Sequence, residues 1–312
     1  MRSLRFLLLL LLLSAALGAV AQEADRDTLP KEYRDKYPGL AFAESDIVLY
    51  SPRDYQVFQR RSRSEGEIFF SGKINVPYDK VSYRITGRAF DGKALPKGFR
   101  TLKVNPVTGG FDEYVKVRAG GWYAVEIKAE NDKKSVAETA VDKVGVGEVF
   151  VGAGQSNSTN WGQEPIRQSL GMGASTDGVN WKPCDDPMIG QHDNTQGGSY
   201  YPEFCDLMYK EFGVPIGIAS TGHGGSTIEQ WAAGATLYNF FMARVKQLGN
   251  NGVRAVLWHQ GESNYLTPTE VSVMNMTAII WSSNYDAGWQ FPWFVAKVSY
   301  RTPEEPSFPL IR

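Results

Sequence analysis

The chain has few of the residues that metal and redox chemistry need. Its 312 residues include 3 histidines and 2 cysteines, with no C-x-x-C and no H-E-x-x-H. A metal site is therefore not expected, and no cofactor is called for. Charge of one sign is also missing: 33 Lys and Arg stand against 34 Asp and Glu, a formal net charge of −1. Such a balance gives no electrostatic footprint for nucleic acid or anionic lipid. Past the first 21 residues no apolar run is long enough to span a bilayer.

The one long apolar run lies at the start. Arg2 and Arg5 precede an unbroken Leu7 to Leu13, and Ala19-Val20-Ala21 forms a small-x-small cleavage site. This predicts a signal peptide over residues 1–21, a mature chain from near Gln22, and a secreted or periplasmic protein. Without Arg2 and Arg5 the net charge is about −3. An exported chain with an even number of cysteines can pair them, but spacing alone leaves open whether Cys184 and Cys205 meet. The 8 Trp and 15 Tyr suit sugar-facing surfaces and ordinary cores equally.

Two patterns follow a polar lead-in over residues 22–44. Residues 45–143 alternate with a period of two: Val81, Tyr83 and Ile85 share one face, as do Tyr123, Val125 and Ile127. Turn residues separate these runs at Pro77-Tyr78-Asp79, Asp91-Gly92, Asn105-Pro106, Gly109-Gly110 and Gly120-Gly121. Short alternating strands with frequent turns predict a small, Ig-like β-sandwich. Residues 144–312 alternate strand and helix instead. The helix around 202–213 is expected to bury Phe204, Leu207, Met208 and Phe212. The next should bury Leu237, Phe240, Phe241, Val245 and Leu248. Thr267-Pro268-Thr269-Glu270 reads as a capping box opening a third. A last strand is expected at "WFVAKVSY". The fold class is α/β, with a parallel sheet covered on both faces and preceded by the sandwich.

In open α/β sheets ligands bind beyond the carboxyl ends of the strands. Three strand ends here carry glycine beside Ser, Gln or Asn: "GQSN" at 154–157, "STGHGGSTIEQW" at 220–231 and "HQGESN" at 259–264. That set fits acyl transfer. A serine attacks a carbonyl, and backbone and amide donors hold the oxyanion that develops. Ser156 is the candidate nucleophile, and it brings its own N–H. Gly224 or Gly225 offers a second N–H, and Gln260 an amide. Two other readings fail: Gly152-x-Gly154 lacks the third glycine of a dinucleotide loop, and Gly154-x-Ser156-x-Ser158 is not the G-x-S-x-G of an α/β-hydrolase.

Together "GQSN", "GGSTIEQW" and "WHQGESN" resemble the sialate O-acetylesterase and acetylxylan esterase branch of the SGNH/GDSL hydrolases. The resemblance covers roughly residues 45–312 and implies a flavodoxin-like SGNH domain over 144–312. It implies Ser156 as nucleophile, the Gly224-Gly225 pair and Gln260 as oxyanion donors, and Glu262 as a residue that orients the others. The implied partner is an acetylated carbohydrate. Asn157 is expected to serve the site, His259 to be a hydrogen-bonded structural histidine, and His223, with His192, to lie on loops near the cleft. Two departures stand out. Ser158 replaces a methionine, and the family's late Asp-x-x-His, which carries the base, does not follow the last motif. The expectation is that Arg312 is a truncation point with the base beyond it. The alternative is a non-catalytic carbohydrate-binding protein on an esterase scaffold.

Overall fold

The computed structural model describes residues 45–298. The expected signal peptide, nearly all of the lead-in and the end of the chain from residue 299 lie outside them. Among the described residues thirteen strands are present: β1 (Ile47–Ser51), β2 (Val57–Gln59), β3 (Glu65–Ile74), β4 (Lys80–Thr86), β5 (Arg100–Thr101), β6 (Gly110–Arg118), β7 (Gly120–Asn131), β8 (Lys134–Gly154), β9 (Gly173–Thr176), β10 (Trp181–Pro183), β11 (Ile216–Ser220), β12 (Ala255–His259) and β13 (Trp293–Val295). Three helices join them: α1 (Tyr201–Phe212), α2 (Thr236–Gln247) and α3 (Thr269–Ala287). The architecture is mixed α/β around one large sheet.

Strand β8 organises everything else. Its 21 residues pair antiparallel with β7 over the first half, then parallel with β2, β11 and β12. The boundary expected between residues 143 and 144 therefore falls inside one continuous strand. On its amino-terminal side a three-stranded antiparallel sheet, β1-β3-β6, shares a core with β4 and β7. The alternation read from the sequence buries Val81, Tyr83, Val125 and Ile127 in that core, beside Ile68 and Phe70 of β3. Each such side chain contributes about 1.5–3 kcal/mol when fully buried. Gly120-Gly121 is not the expected turn: both residues belong to β7, where the register against β8 shifts.

On its carboxyl-terminal side the parallel strands run β9-β11-β8-β12-β13, with β10 closing a short antiparallel edge. Consecutive β8 residues face opposite ways. Phe150 packs with Tyr201 and Cys205 of α1, while Val151 packs with Phe241 of α2 and Ile279 of α3. Helices thus cover both faces. Strand β13 stops at Val295, shorter than expected, and Phe294 is 62% exposed. On α3, Trp281 and Tyr285 also point to solvent.

Helix details differ from the sequence pattern. α1 buries Tyr201, Pro202, Cys205 and Asp206, while Leu207 is 52% exposed and Phe212 also faces outward. Polar anchors set this rotation. The Asp206 carboxylate accepts the N–H groups of Ser169 and Leu170, and the Tyr201 hydroxyl donates to the Ser158 carbonyl. α2 buries Leu237, Phe241 and Val245 as expected, and adds Tyr238 and Met242. α3 begins at Thr269 with Pro268 at its cap, so the Thr267–Glu270 capping box does not form. Thr267 instead accepts from the Asn264 amide. Cys184 and Cys205 are buried free thiols with sulfurs 3.3 Å apart. Burial, then Cys205, pushes the Cys184 thiol well above its usual range.

Where the two kinds of pairing meet on β8 sits Glu148, 2% exposed. Its carboxylate accepts from Arg60 Nε at 2.7 Å, from Gln59 Nε2 at 2.8 Å and from Arg254 Nη2 at 3.1 Å. Arg60 is itself 6% exposed, so removing the carboxylate leaves a buried, uncompensated guanidinium. Glu148→Ala should cost about 3–5 kcal/mol. Arg60→Ala should cost more than Arg254→Ala, because the Arg254 side chain is 45% exposed. Urea denaturation checks this; a Glu148→Ala loss below about 1 kcal/mol would refute it.

Candidate active site

Three strand ends meet at one level. In the parallel register Ser220 of β11 stands opposite Gly152 of β8, and His259 of β12 opposite Gly154. The segments that follow are bound to one another. His223 N–H donates to the Gly154 carbonyl at 2.9 Å, and Gln155 N–H to the His259 carbonyl at 2.9 Å. Gly154 is required there: its φ is +124°, and a Cβ would sit 2.2 Å from the His259 carbonyl oxygen.

Ser156 opens a single 3₁₀ turn, Ser156–Ser158, directly after β8. It is partly exposed, and the first N–H of such a turn has no intrahelical acceptor. Ser158, the departure from the family pattern, is fully buried. Its hydroxyl donates to the Ala153 carbonyl at 2.8 Å, and its carbonyl accepts from Tyr201 and Ser220 hydroxyls. It ties the turn that carries Ser156 back onto the strand. Gln155, singled out by no sequence argument, accepts the N–H groups of Gly261 and Ser263 at 3.2 Å each.

The expected donors are placed unevenly. Gly225 has φ +71° and open space where a Cβ would point. Gly224 N–H is committed: it donates to Asp193 Oδ2 at 2.6 Å. The Gln260 amide is 4% exposed and is also committed, donating to the Ser226 carbonyl at 3.1 Å and to Asn264 Oδ1 at 2.6 Å. In this geometry neither Gly224 nor Gln260 has a free hydrogen for an oxyanion. Gln260 instead clamps the 226 loop to the 264 turn.

Asn157, His259 and Glu262 form a cluster beside Ser156. Asn157 Nδ2 donates to Glu262 Oε1 at 2.6 Å and lies 3.4 Å from His259 Nε2, which is 3.4 Å from the same oxygen. Burial works to raise the Glu262 carboxyl, but hydrogen bonds from His259, its own N–H and Asn157 outweigh it and hold the group below its ordinary value. Glu262 Oε2 is buried with no partner among the described residues.

A histidine pair was not legible in the sequence, because its members lie 31 positions apart. His192 Nδ1 and His223 Nδ1 are 2.8 Å apart, and the Phe240 ring of α2 packs edge-on against His192. Burial first, then His223, lowers the His192 pKa, against the opposite pull of Asp193. At 2.8 Å one ring's Nδ1–H donates to the other ring's bare Nδ1, an arrangement lost when that accepting nitrogen takes a proton. A base whose folded pKa is lowered supplies stability that is full above its unfolded pKa of about 6.5 and lost as pH falls through the folded value. His192→Gln should flatten the fall in stability below pH about 6.5, read by thermal unfolding across pH 5–8. An unchanged profile would remove the pair from the titration.

Among the described residues no group of three His, Cys, Asp or Glu is arranged to hold a metal. No helix among them is long and apolar enough to cross a membrane.

Residues 146–299 match a family model described as carbohydrate esterase, sialic acid-specific acetylesterase. No curated protein matches the chain. Among solved structures, a carbohydrate acetylesterase from Xanthomonas citri is similar at 20% identity and a TM-score of 0.49, over 81% of this chain and 60% of that one. The chain thus spans 60% of that protein's length. An Arabidopsis thaliana protein is similar at 19% identity and a TM-score of 0.43, over 49% of this chain and 74% of that one. The match holds all three strand-end motifs, and over it the chain resembles the sialic acid-specific acetylesterase branch of the carbohydrate esterases.

Proposed function

We propose that the protein is an exported serine esterase that removes O-acetyl groups from carbohydrate. Its reading as an SGNH-type, flavodoxin-like domain behind a β-sandwich goes with that proposal. The observation that carries it is the levelling of three parallel strand ends, with Ser156 on one, Gly225 on the second and the His259–Glu262 segment on the third. The leader at residues 1–21 supports export.

In this reading the Ser156 hydroxyl oxygen attacks the acetyl carbonyl carbon and a general base takes its proton. The carbonyl oxygen becomes the oxyanion, held by the N–H groups of Ser156 and Gly225. Collapse breaks the bond to the sugar oxygen, which leaves with the proton, and acetyl-Ser156 remains. Water then attacks that ester, acetate departs and Ser156 regains its proton. Gln260 sets the geometry of the donor loop, and it donates to the oxyanion only by releasing Ser226 or Asn264. The Asn157–Glu262 contact holds His259 Nε2 in place, which supports a positioning role. The resemblance puts the base in an Asp-x-x-His, a pattern that residues 45–298 do not contain.

The second reading, a binder without turnover, draws on the committed Gly224 and Gln260 hydrogens. Acetate release from p-nitrophenyl acetate and from an acetylated glycan separates the two. Ser156→Ala should abolish turnover with folding intact, a loss of several orders of magnitude. Gln260→Ala should lower kcat by about a hundredfold with little change in KM, through a displaced Gly225 loop rather than a lost donor. His259→Ala should lower kcat far less than Ser156→Ala. An active Ser156→Ala variant would sink the esterase reading, and a His259→Ala loss as deep as that of Ser156→Ala would make His259 the base.

A further inference from the structure

Lined by none of the residues of the Ser156 turn, a cleft of about 300 Å³ opens between the β1–β2 connection and the loop between β9 and β10. Tyr50, Arg53 and Gln56 line one wall, and Trp181, Arg244 and Gln247 the other. Its volume is at the lower end for small-molecule sites, about the size that encloses one sugar ring.

The side-chain groups that Gln56, Gln247 and Arg244 leave uncommitted in this cleft are donors. Gln56 Oε1 already accepts from Arg53 N–H at 2.9 Å, and Gln247 Oε1 from Arg244 Nη1 at 2.7 Å. Both amides therefore keep their nitrogens as donors. Arg244 Nε is buried with no partner among the described residues. The nearby carboxylate, Asp177, is occupied by the N–H groups of Val179 and Asn180 and by the Asn180 amide. Burial also depresses the Arg244 pKa against the pull of Asp177. A guanidinium whose buried N–H lacks an acceptor is costly unless an anion joins it.

Flat apolar surface accompanies these donors. Trp181 packs over Gly217, where a Cβ would meet its ring, and Tyr50 is 49% exposed at the mouth. Two guanidinium groups bind a carboxylate, amide donors on facing walls reach ring hydroxyls, and aromatic faces cover a sugar's C–H side. We propose that this cleft is a non-catalytic binding site for a sugar acid, a uronate-like unit of an acidic glycan. The site stands apart from the esterase reading, because it uses none of the residues around Ser156.

Calorimetry and saturation-transfer NMR with D-glucuronate, D-glucose and D-lactate on the full chain test it. Glucuronate should bind, with glucose and lactate each weaker by about tenfold or more. Arg244→Gln and Trp181→Ala should each weaken glucuronate by about tenfold. Arg53→Gln, at an exposed position, should do the same while leaving p-nitrophenyl acetate turnover, if the wild type has it, unchanged. It decides the matter should a buried variant fail to fold. No glucuronate binding at about ten millimolar, or equal affinity in Arg53→Gln, overturns the site. Lactate bound as tightly as glucuronate overturns the sugar. Because binding is the readout, an inactive esterase leaves the test intact.

Discussion

The buried carboxylate of Glu148 is the interaction on which the two halves depend. Its acceptor sites are filled by Arg60, Gln59 and Arg254. Arg60 and Gln59 reach it from β2 and the residue just past it, and Arg254 from the residue before β12. The strand begins its parallel pairing with β11 at this residue, with Ile216 opposite Glu148. A charge is costly to bury, so the site tolerates no partner lost and no register slip. A one-residue slip of β8 would send every later side chain to the wrong face. The ion cluster thus fixes the register in which Gly154, His259 and Ser220 come level.

That register explains why the polar chemistry gathers at one edge. β8, β11 and β12 end within two residues of one another, and each gives way to a turn that spends its backbone groups on its neighbours. Gln155, Ser158, Asn264 and Gln260 all hold one loop to another rather than facing solvent. What stays open among them is narrow: the Ser156 turn and the Gly225 position. On the proposed mechanism, Ser156 and the Gly225 N–H, held by so many fixed contacts, would reorganise little when charge develops.

Much of this was readable because periodicity reports burial. Tyr123, Val125 and Ile127 alternate and are buried, and the three strand-end motifs fall where the strands stop. Failures arose where long-range polar contacts override the local pattern. Asp206 and Tyr201 turn α1 so that Leu207 faces water. Strands β9 and β10 are 4 and 3 residues long, too short to carry a period. The unity of β8 was hidden because one half alternates and the other, buried on both faces, reads as a continuous apolar run. The commitments of Gly224 to Asp193 and of His192 to His223 join residues about thirty positions apart, and no local signal carries them.

Helix α2 touches both the donor-lined cleft and the strand-end site. The Arg244 guanidinium lies 4.9 Å from the Phe240 ring centroid, that ring lies 5.0 Å from His192, and His192 meets His223. The His223 N–H in turn holds the Gly154 carbonyl next to Ser156. Continuity of contact is not coupling, since coupling requires an element with two arrangements that both sites bias. Here Phe240 and Arg244 sit on α2, whose Phe241 and Val245 are fully buried, and the loop residues His192 and His223 are tied to each other by a hydrogen bond. A helix fixed in this way transmits position rather than change. On the two proposals above, the cleft and the strand-end site would act as two attachment points tied to one packed helix, which favours a substrate long enough to reach both over a signal passed between them.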